Sequence, residues 1–477
     1  MPRTAESEEK DLPITGDPYR GVDEVQLSGV SAYVMDAYVD ELEQTCKRPG
    51  LDLFVDFGTA NGVDGLYWWD RQRVAVAVSA GRVFQIDDFA GNVTELVGAT
   101  LTIGSRVSYA SDGTKLVMAN GGQMVHCTKS GALTVMADGD APTSVSHVAF
   151  LDGYILANLR DTGLFHSCTN DDMTDWDAAE FANAEGKPDN ITALYEGWSE
   201  IALVGPESIE IWVNDGQTPF SRLSGGLIQE GCAAPQTFRQ VGNVWMWLSK
   251  ARRFVQLTGR TPEPVSFPFD KIIQGFVTVD DALADVIDIA GQRFYVVSFP
   301  SANRTFVYSV YRNAWHEWGY WNQALADYQR WLGNAHCYAE PWGLHLVGDR
   351  NSGKVYTMSR DYFDDNGDMI RSVRRTGFND YGTSRYKRSH EATIRCKRGQ
   401  GTASVPAPTM SVRWRDQPGA WKNGRSVSLG AVGEHELYAR LKGGLGMYRA
   451  RQWELTHSDN TDWILVGGKE LVDVLPR

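Results

Sequence analysis

Apolar and polar positions alternate along most of this chain with a period of two. In RVSYASDGTKLVMAN (106–120), SVSHVAFLDGYILAN (144–158) and RQVGNVWMWLS (239–249), an apolar run enters a tight, glycine-containing turn and a second apolar run leaves it. Short alternating or continuous runs of β-branched and aromatic residues, such as FYVVSF (294–299), predict strands rather than helices. Helix is scarce in the pattern. Residues 32–46 read as a short helix or an extended arm, and 321–331 as a second weak helix candidate; neither carries an amphipathic stripe.

The hairpin unit recurs. Turn glycines fall at Gly81, Gly113, Gly153, Gly197, Gly242, Gly291 and Gly343, at intervals of 32 to 52 residues. A four-stranded antiparallel blade needs about 40–50 residues. A ring of blades also leaves only short strand edges open. The chain is therefore expected to be all-β: a β-propeller of six or seven blades with an additional C-terminal β-sandwich-like domain. The expected division is an N-terminal arm and closing strand at 1–62, the propeller at 63–371 and a basic β-domain at 372–477.

Charge supports that last boundary. The 477-residue chain has a formal net charge of −14, but residues 1–370 carry −23 and residues 371–477 carry +9. The stretch 371–398 alone holds nine basic residues: Arg371, Arg374, Arg375, Arg385, Lys387, Arg388, Arg395, Lys397 and Arg398. Because an acidic propeller and a basic second domain are complementary, these nine are the candidate interprotein contact. GQGTASVPAPT (399–409) reads as a linker or long loop, and the segments after it as strands of a small sandwich. An acidic chain is not a general nucleic-acid coat.

Candidate chemistry changes little. Six cysteines at 46, 127, 168, 232, 337 and 396 form no CxxC pair and read as free, mostly buried thiols. The pairs His126/Cys127, His166/Cys168 and His336/Cys337 lack metal-ligand spacing and read as strand residues. DDNGD (364–368) has the carboxylates of a calcium loop but not its register, and Asn366-Gly367 reads as a hairpin turn. RWRDQPGAWKNG (413–424) matches the Asp-box turn of sialidase-type propellers only at Asp416, Gly419 and Trp421. There is no P-loop, GxSxG or HExxH, and no carboxylate pair stands out for glycoside hydrolysis. No catalytic residue, metal site or cofactor is expected. No apolar run reaches the length of a membrane span, and the polar N-terminus lacks the order of a signal peptide, so synthesis in a cytoplasm is expected.

Several long stretches resemble one family. They include RVAVAVSAGRVFQID (73–87), HVAFLDGYILANLRDTGLFHSC (147–168), DWDAAEFANAEGKPDNI (175–191), NAWHEWGYW (313–321) and VRWRDQPGAWKNGRSVSLGAVGEHELYARLKGGLGMYRARQWELT (412–456). The block SIEIWVNDG…PFSR…GGLIQEGCAAP (208–235) is the most specific. In these segments the chain is similar to the packaged-DNA stabilisation proteins, or tail hub and nozzle proteins, of short-tailed bacteriophages. The resemblance implies a non-enzymatic virion component of the phage tail, made in the host cytoplasm. It implies a homo-hexameric ring under the tail adaptor ring below the portal, retaining packaged DNA and conducting it at ejection. Tail fibres or spikes would dock on the flanks, a needle or plug would close the tip, and genomic double-stranded DNA would pass without tight binding. The alternative from another class is a propeller-type glycosidase or depolymerase acting on the host surface.

Overall fold

The computed structural model describes residues 7–17 and 33–475, apart from positions 185, 188, 217–219, 268, 418, 435 and 437. Five self-contained four-stranded antiparallel sheets follow one another in sequence order. We number them as blades 1 to 5, beginning with the strands Val63–Trp69, Ser108–Ser111, Val148–Leu151, Ala193–Gly197 and Arg239–Val241. Blade 6 comprises Leu283–Ile289, Gln292–Phe299, Arg304–Ser309 and Ala314–Asn322. Blade 7 comprises Gly333–Ala339, Leu344–Asp349, Lys354–Ser359 and, as its fourth strand, Gly50–Asp56 from the start of the chain.

Seven apolar clusters hold the ring, one in each gap between neighbours. Trp69, Val76, Leu116 and Met118 join blades 1 and 2. Val117 and Ile155 join 2 and 3, Leu156 and Ile201 join 3 and 4, and Ile211 and Trp247 join 4 and 5. Phe254 and Tyr295 join 5 and 6, Phe294 and Val347 join 6 and 7, and Leu346 and Ala77 join 7 and 1. Period-two strands make this possible, because each blade offers one side-chain face to each neighbour. The ring thus has seven blades, the larger of the two numbers the turn spacing allowed.

The turn glycines mark the blades with one exception. Gly113, Gly153, Gly242, Gly291 and Gly343 lie between the first and second strands of their blades, and Gly197 ends the first strand of blade 4. Gly81 instead lies between the second and third strands of blade 1, whose first hairpin turns at Arg73 with φ 54°. This displacement explains the short first interval.

The remaining strands form a sandwich. Its first sheet orders Ala37–Val39, Thr45–Lys47, Ile464–Val474, Lys387–Cys396 and Tyr438–Lys442, with Ser7–Asp11 also paired to Ile464–Val474. Its second sheet runs Tyr33–Met35, Ser372–Arg375, Arg451–His457, Thr409–Asp416 and Arg425–Ser428. It continues the sheet of blade 6 through a parallel step at Met35 and Glu317. Trp414, Trp453, Trp463, Leu455, Ile394 and Leu12 fill the space between the sheets.

Two weak helix candidates are corrected. Residues 32–46 contain the strands Tyr33–Met35 and Ala37–Val39, the extended alternative, and residues 321–331 end one strand, turn, and form Asp327–Arg330. In both, pairing to a distant strand decides the conformation, which a weak local pattern cannot resist. The stretch 399–409 is the long loop of the two alternatives and not a linker between domains; it connects Lys387–Cys396 to Thr409–Asp416 within the sandwich. Asn366 (φ 53°) and Gly367 (φ 92°) form a left-handed hairpin turn, as Asn-Gly predicts. Among the described residues no helix is long and apolar enough to cross a membrane.

Candidate functional site

The first strand of each blade lines the propeller axis, and the side chains there pair with one another. Arg106, just before the first strand of blade 2, donates to Asp285 of blade 6 and to the Asn334 carbonyl of blade 7. That reach crosses the ring. Arg239 of blade 5 lies 5.2 Å over the Tyr195 ring of blade 4. The Tyr195 hydroxyl donates to the Pro235 carbonyl at 2.9 Å and lies 3.2 Å from His147 Nε2, while Gln236 Nε2 approaches the same nitrogen at 3.0 Å. Tyr67 and Tyr109 stack at 5.1 Å. Burial pushes the His147 imidazole down to about 3, assisted by Arg239, so it stays neutral. Burial also raises Asp285, against the pull of Arg106. The axis is therefore filled by interlocking polar and aromatic side chains, although the buried Tyr109 hydroxyl among them has no hydrogen-bond partner. Above it lies a cavity of about 770 Å³, rimmed by Arg160, Asp161, Asp189, Glu207 and Asp280.

The nine basic residues of 371–398 do not form one surface. Arg374 is 1% exposed and donates to the Pro13 and Thr15 carbonyls of the N-terminal segment. Lys387 is 0% exposed, its Nζ donating to the Thr383 and Arg385 carbonyls at 2.7 and 2.9 Å. Arg371 packs 4.6 Å over Trp321. Arg375 is ion-paired with buried Glu454, and Arg398 with Glu434 and Glu436. Lys397 is exposed and paired with Asp462 at 2.8 Å. Arg385, Arg388 and Arg395 are exposed. Strand alternation turns some of these side chains inward, and burial then demands a partner for each charge, so Arg374 and Lys387 are enclosed while Arg385, Arg388, Arg395 and Lys397 stay on the surface.

A second arginine cluster escapes a reading by local charge density, because three strands and a loop build it. Glu454 accepts from both Arg375 and Arg413 across adjacent strands, and Arg415 donates to Gln452 at 2.6 Å. Trp421 lies under the guanidiniums of Arg375, Arg413 and Arg415 at 5.2, 4.7 and 5.0 Å. Burial pulls the Glu454 carboxyl upward, but the two guanidiniums outweigh it and hold it below its usual range. The segment 413–424 therefore belongs to the sandwich and not to a propeller blade, which removes the one glycosidase-like motif from the position such a motif would occupy. Within it, Asp416 pairs with buried Arg451 at 2.7 Å.

Among the described residues, no three His, Cys, Asp or Glu side chains come together to hold a metal. His166 stands opposite Phe181 and Cys168 opposite Trp176, and the Cys168 sulfur accepts from the Ile155 amide. His336 Nε2 and His345 Nδ1 lie 3.1 Å apart in blade 7. All six cysteines are unpaired thiols.

No curated protein matches the sequence. Among solved structures, the computationally designed Ika8 protein aligns at 12% identity and TM-score 0.38, covering 65% of this chain and 99% of its own. The dihydro-heme d1 dehydrogenase NirN aligns at 12% and 0.43, covering 80% and 76%. The Neurospora crassa Pan2 WD40 domain aligns at 10% and 0.39, covering 63% and 89%. At these scores no property of this chain follows from them. The phage stabilisation family, described as bacteriophage P22 Gp10, β-propeller, matches residues 43–362, which span blades 1 to 7 and the closing strand. This chain therefore belongs to the phage stabilisation family of β-propeller proteins, and is a structural component of a bacteriophage virion.

Proposed function

We propose that the chain is a subunit of a tail nozzle or hub, a homo-hexameric ring beneath the adaptor ring of the portal that retains packaged DNA and conducts it at ejection. The observation that carries this reading is the match of residues 43–362 to the phage stabilisation family; the propeller axis itself is filled, with Arg106 reaching across to Asp285 and Asn334. A DNA duplex has no path through one subunit, so a family member on the DNA route must form its conduit between subunits. The net −23 of residues 1–370 suits such a conduit, because each phosphate–cation contact adds sequence-independent grip and acidic walls avoid it. Fibres or spikes would dock on the flanks and a needle or plug would close the tip. No catalytic role is part of the proposal.

A reconstruction of the virion tail tests it. The expected result is six copies in a ring below the adaptor, with DNA density between subunits. Placement of the chain away from the DNA axis would overturn the reading. A titration of the purified protein with duplex DNA at physiological salt is expected to show weak binding or none.

A further inference from the structure

We infer that the outer face of the second sandwich sheet carries a phosphate-binding site, built by Arg413 and Arg415 against Trp421. It stands independently of the ring reading above.

Alternation along Thr409–Asp416 sends Met410, Val412 and Trp414 into the sandwich core, and Arg413 and Arg415 to the opposite face. Two residues apart on one strand, their backbones stand about 7 Å from each other. Arg375 lies on the same face, because Arg375 is opposite Glu454 and Glu454 is opposite Arg413 in the register. All three arginines direct Nε inward: Arg375 and Arg413 to Glu454, Arg415 to Gln452. Glu454 and Gln452 are 1% and 0% exposed, so the guanidiniums roof them and form the surface. Arg375 also turns an Nη to Glu454. The Nη atoms of Arg413 and Arg415 hydrogen-bond no atom of the described residues and are not enclosed.

The charges of this face do not balance. Three guanidiniums meet a single carboxylate, that of Glu454. Nearby acids are engaged elsewhere, Glu317 with Arg304 and Asp416 with Arg451. Burial, and then repulsion from Arg375, hold the Arg415 guanidinium below its usual range against the pull of Glu454. A second anion beside Arg413 and Arg415 would relieve that repulsion.

Trp421 fixes the two forks. Its ring centre lies 4.7 Å from the Arg413 guanidinium carbon and 5.0 Å from that of Arg415, and the Phe378 ring lies 4.9 Å from the latter. A guanidinium packed against an aromatic ring is preorganised and keeps its N–H edge for an oxyanion. The charge surplus names the oxyanion. A phosphate monoester or inorganic phosphate carries about −1.5 to −2 near pH 7 and has oxygens for two forks, whereas a carboxylate carries one charge.

Calorimetric titration of the full chain with inorganic phosphate, at about 0.05 M salt, tests the site. Arg415→Gln is the first variant, because Glu454 keeps both of its partners in it. Wild type is expected to bind phosphate saturably, and Arg415→Gln at least about tenfold more weakly at an unchanged melting temperature. Arg415→Lys keeps the charge without the fork and is expected to fall between them. If Arg415→Gln melts below wild type, Arg415→Lys decides, and wild-type affinity there would overturn the site. Equal affinity in wild type and Arg415→Gln, or no saturable binding below about 10 mM phosphate, would overturn it as well. Acetate bound as tightly as phosphate would replace the inference with a site for a protein carboxylate. Titrations with a short DNA duplex and a short single strand separate the sources of the phosphate. Binding no tighter than that of inorganic phosphate assigns the site to a free phosphate or monoester. Tighter binding that Arg415→Gln abolishes assigns it to a nucleic-acid backbone.

Discussion

The Arg48 guanidinium meets the Asp365 carboxylate end-on, with Nη1–Oδ1 2.9 Å and Nη2–Oδ2 2.5 Å, and both side chains are 1% exposed. The remaining Nε donates to Asp36 Oδ1 at 2.7 Å, and Nη2 also reaches the Gly319 carbonyl of blade 6. One side chain thus ties the hairpin beside blade 7, the end of blade 6 and the sandwich. Arg48→Ala leaves two buried carboxylates without their cation, and is expected to cost about 3–5 kcal/mol. Urea unfolding checks this; a loss below about 1 kcal/mol would contradict the clamp.

The same cluster sets a pH dependence. Burial raises the Asp36 carboxyl to about 6, against the pull of Arg48. The folded chain therefore holds this proton more tightly than the unfolded chain, whose carboxyl keeps its usual value near 3.8. The contribution is fully present below about pH 4 and is lost as pH rises through about 6. Buried His147, His316 and His457 act in the opposite direction, so the comparison needs an Asp36→Asn variant. The stability of wild type relative to Asp36→Asn is expected to shrink by up to about 3 kcal/mol between pH 4 and pH 7. Parallel pH profiles for the two proteins would refute the assignment.

Closing the ring depends on Gly50. A Cβ there would stand 2.3 Å from the Asp364 carbonyl oxygen and 2.7 Å from that of Tyr362, both backbone atoms unable to move aside cheaply. Gly50→Ala is expected to destabilise by about 1–3 kcal/mol and to raise hydrogen exchange in Gly50–Asp56 and its partner Lys354–Ser359. Exchange unchanged in those strands would show that the closure tolerates the methyl.

Neighbouring basic residues should respond oppositely to reversal. Lys387→Glu places a carboxylate where the ammonium donates to two carbonyls, and should cost about 3 kcal/mol or more. Arg388→Glu changes an exposed position and should stay within about 0.5 kcal/mol. Equal melting temperatures for the two variants would contradict the inward orientation of Lys387.

Much of the propeller was legible along the chain. A period of two in VSYASDG and FYVVSF encodes a strand with two usable faces, and the recurring turn glycines encode the blade repeat, because both are local properties of backbone and side-chain volume. The charge step near residue 371 was equally plain, being a matter of counting. The partners of each strand were not legible. Gly50–Asp56 completes blade 7 beside Lys354–Ser359, and Ser7–Asp11 pairs with Ile464–Val474; no local pattern names a partner several hundred residues away. Nor could charge density along 371–398 distinguish the enclosed Lys387 from the exposed Arg388. Composition and periodicity by themselves determined the all-β character and the repeat. Only the tertiary structure decided the blade number, the closed axis and which charges face water, because burial and ion pairing are properties of elements brought together in space.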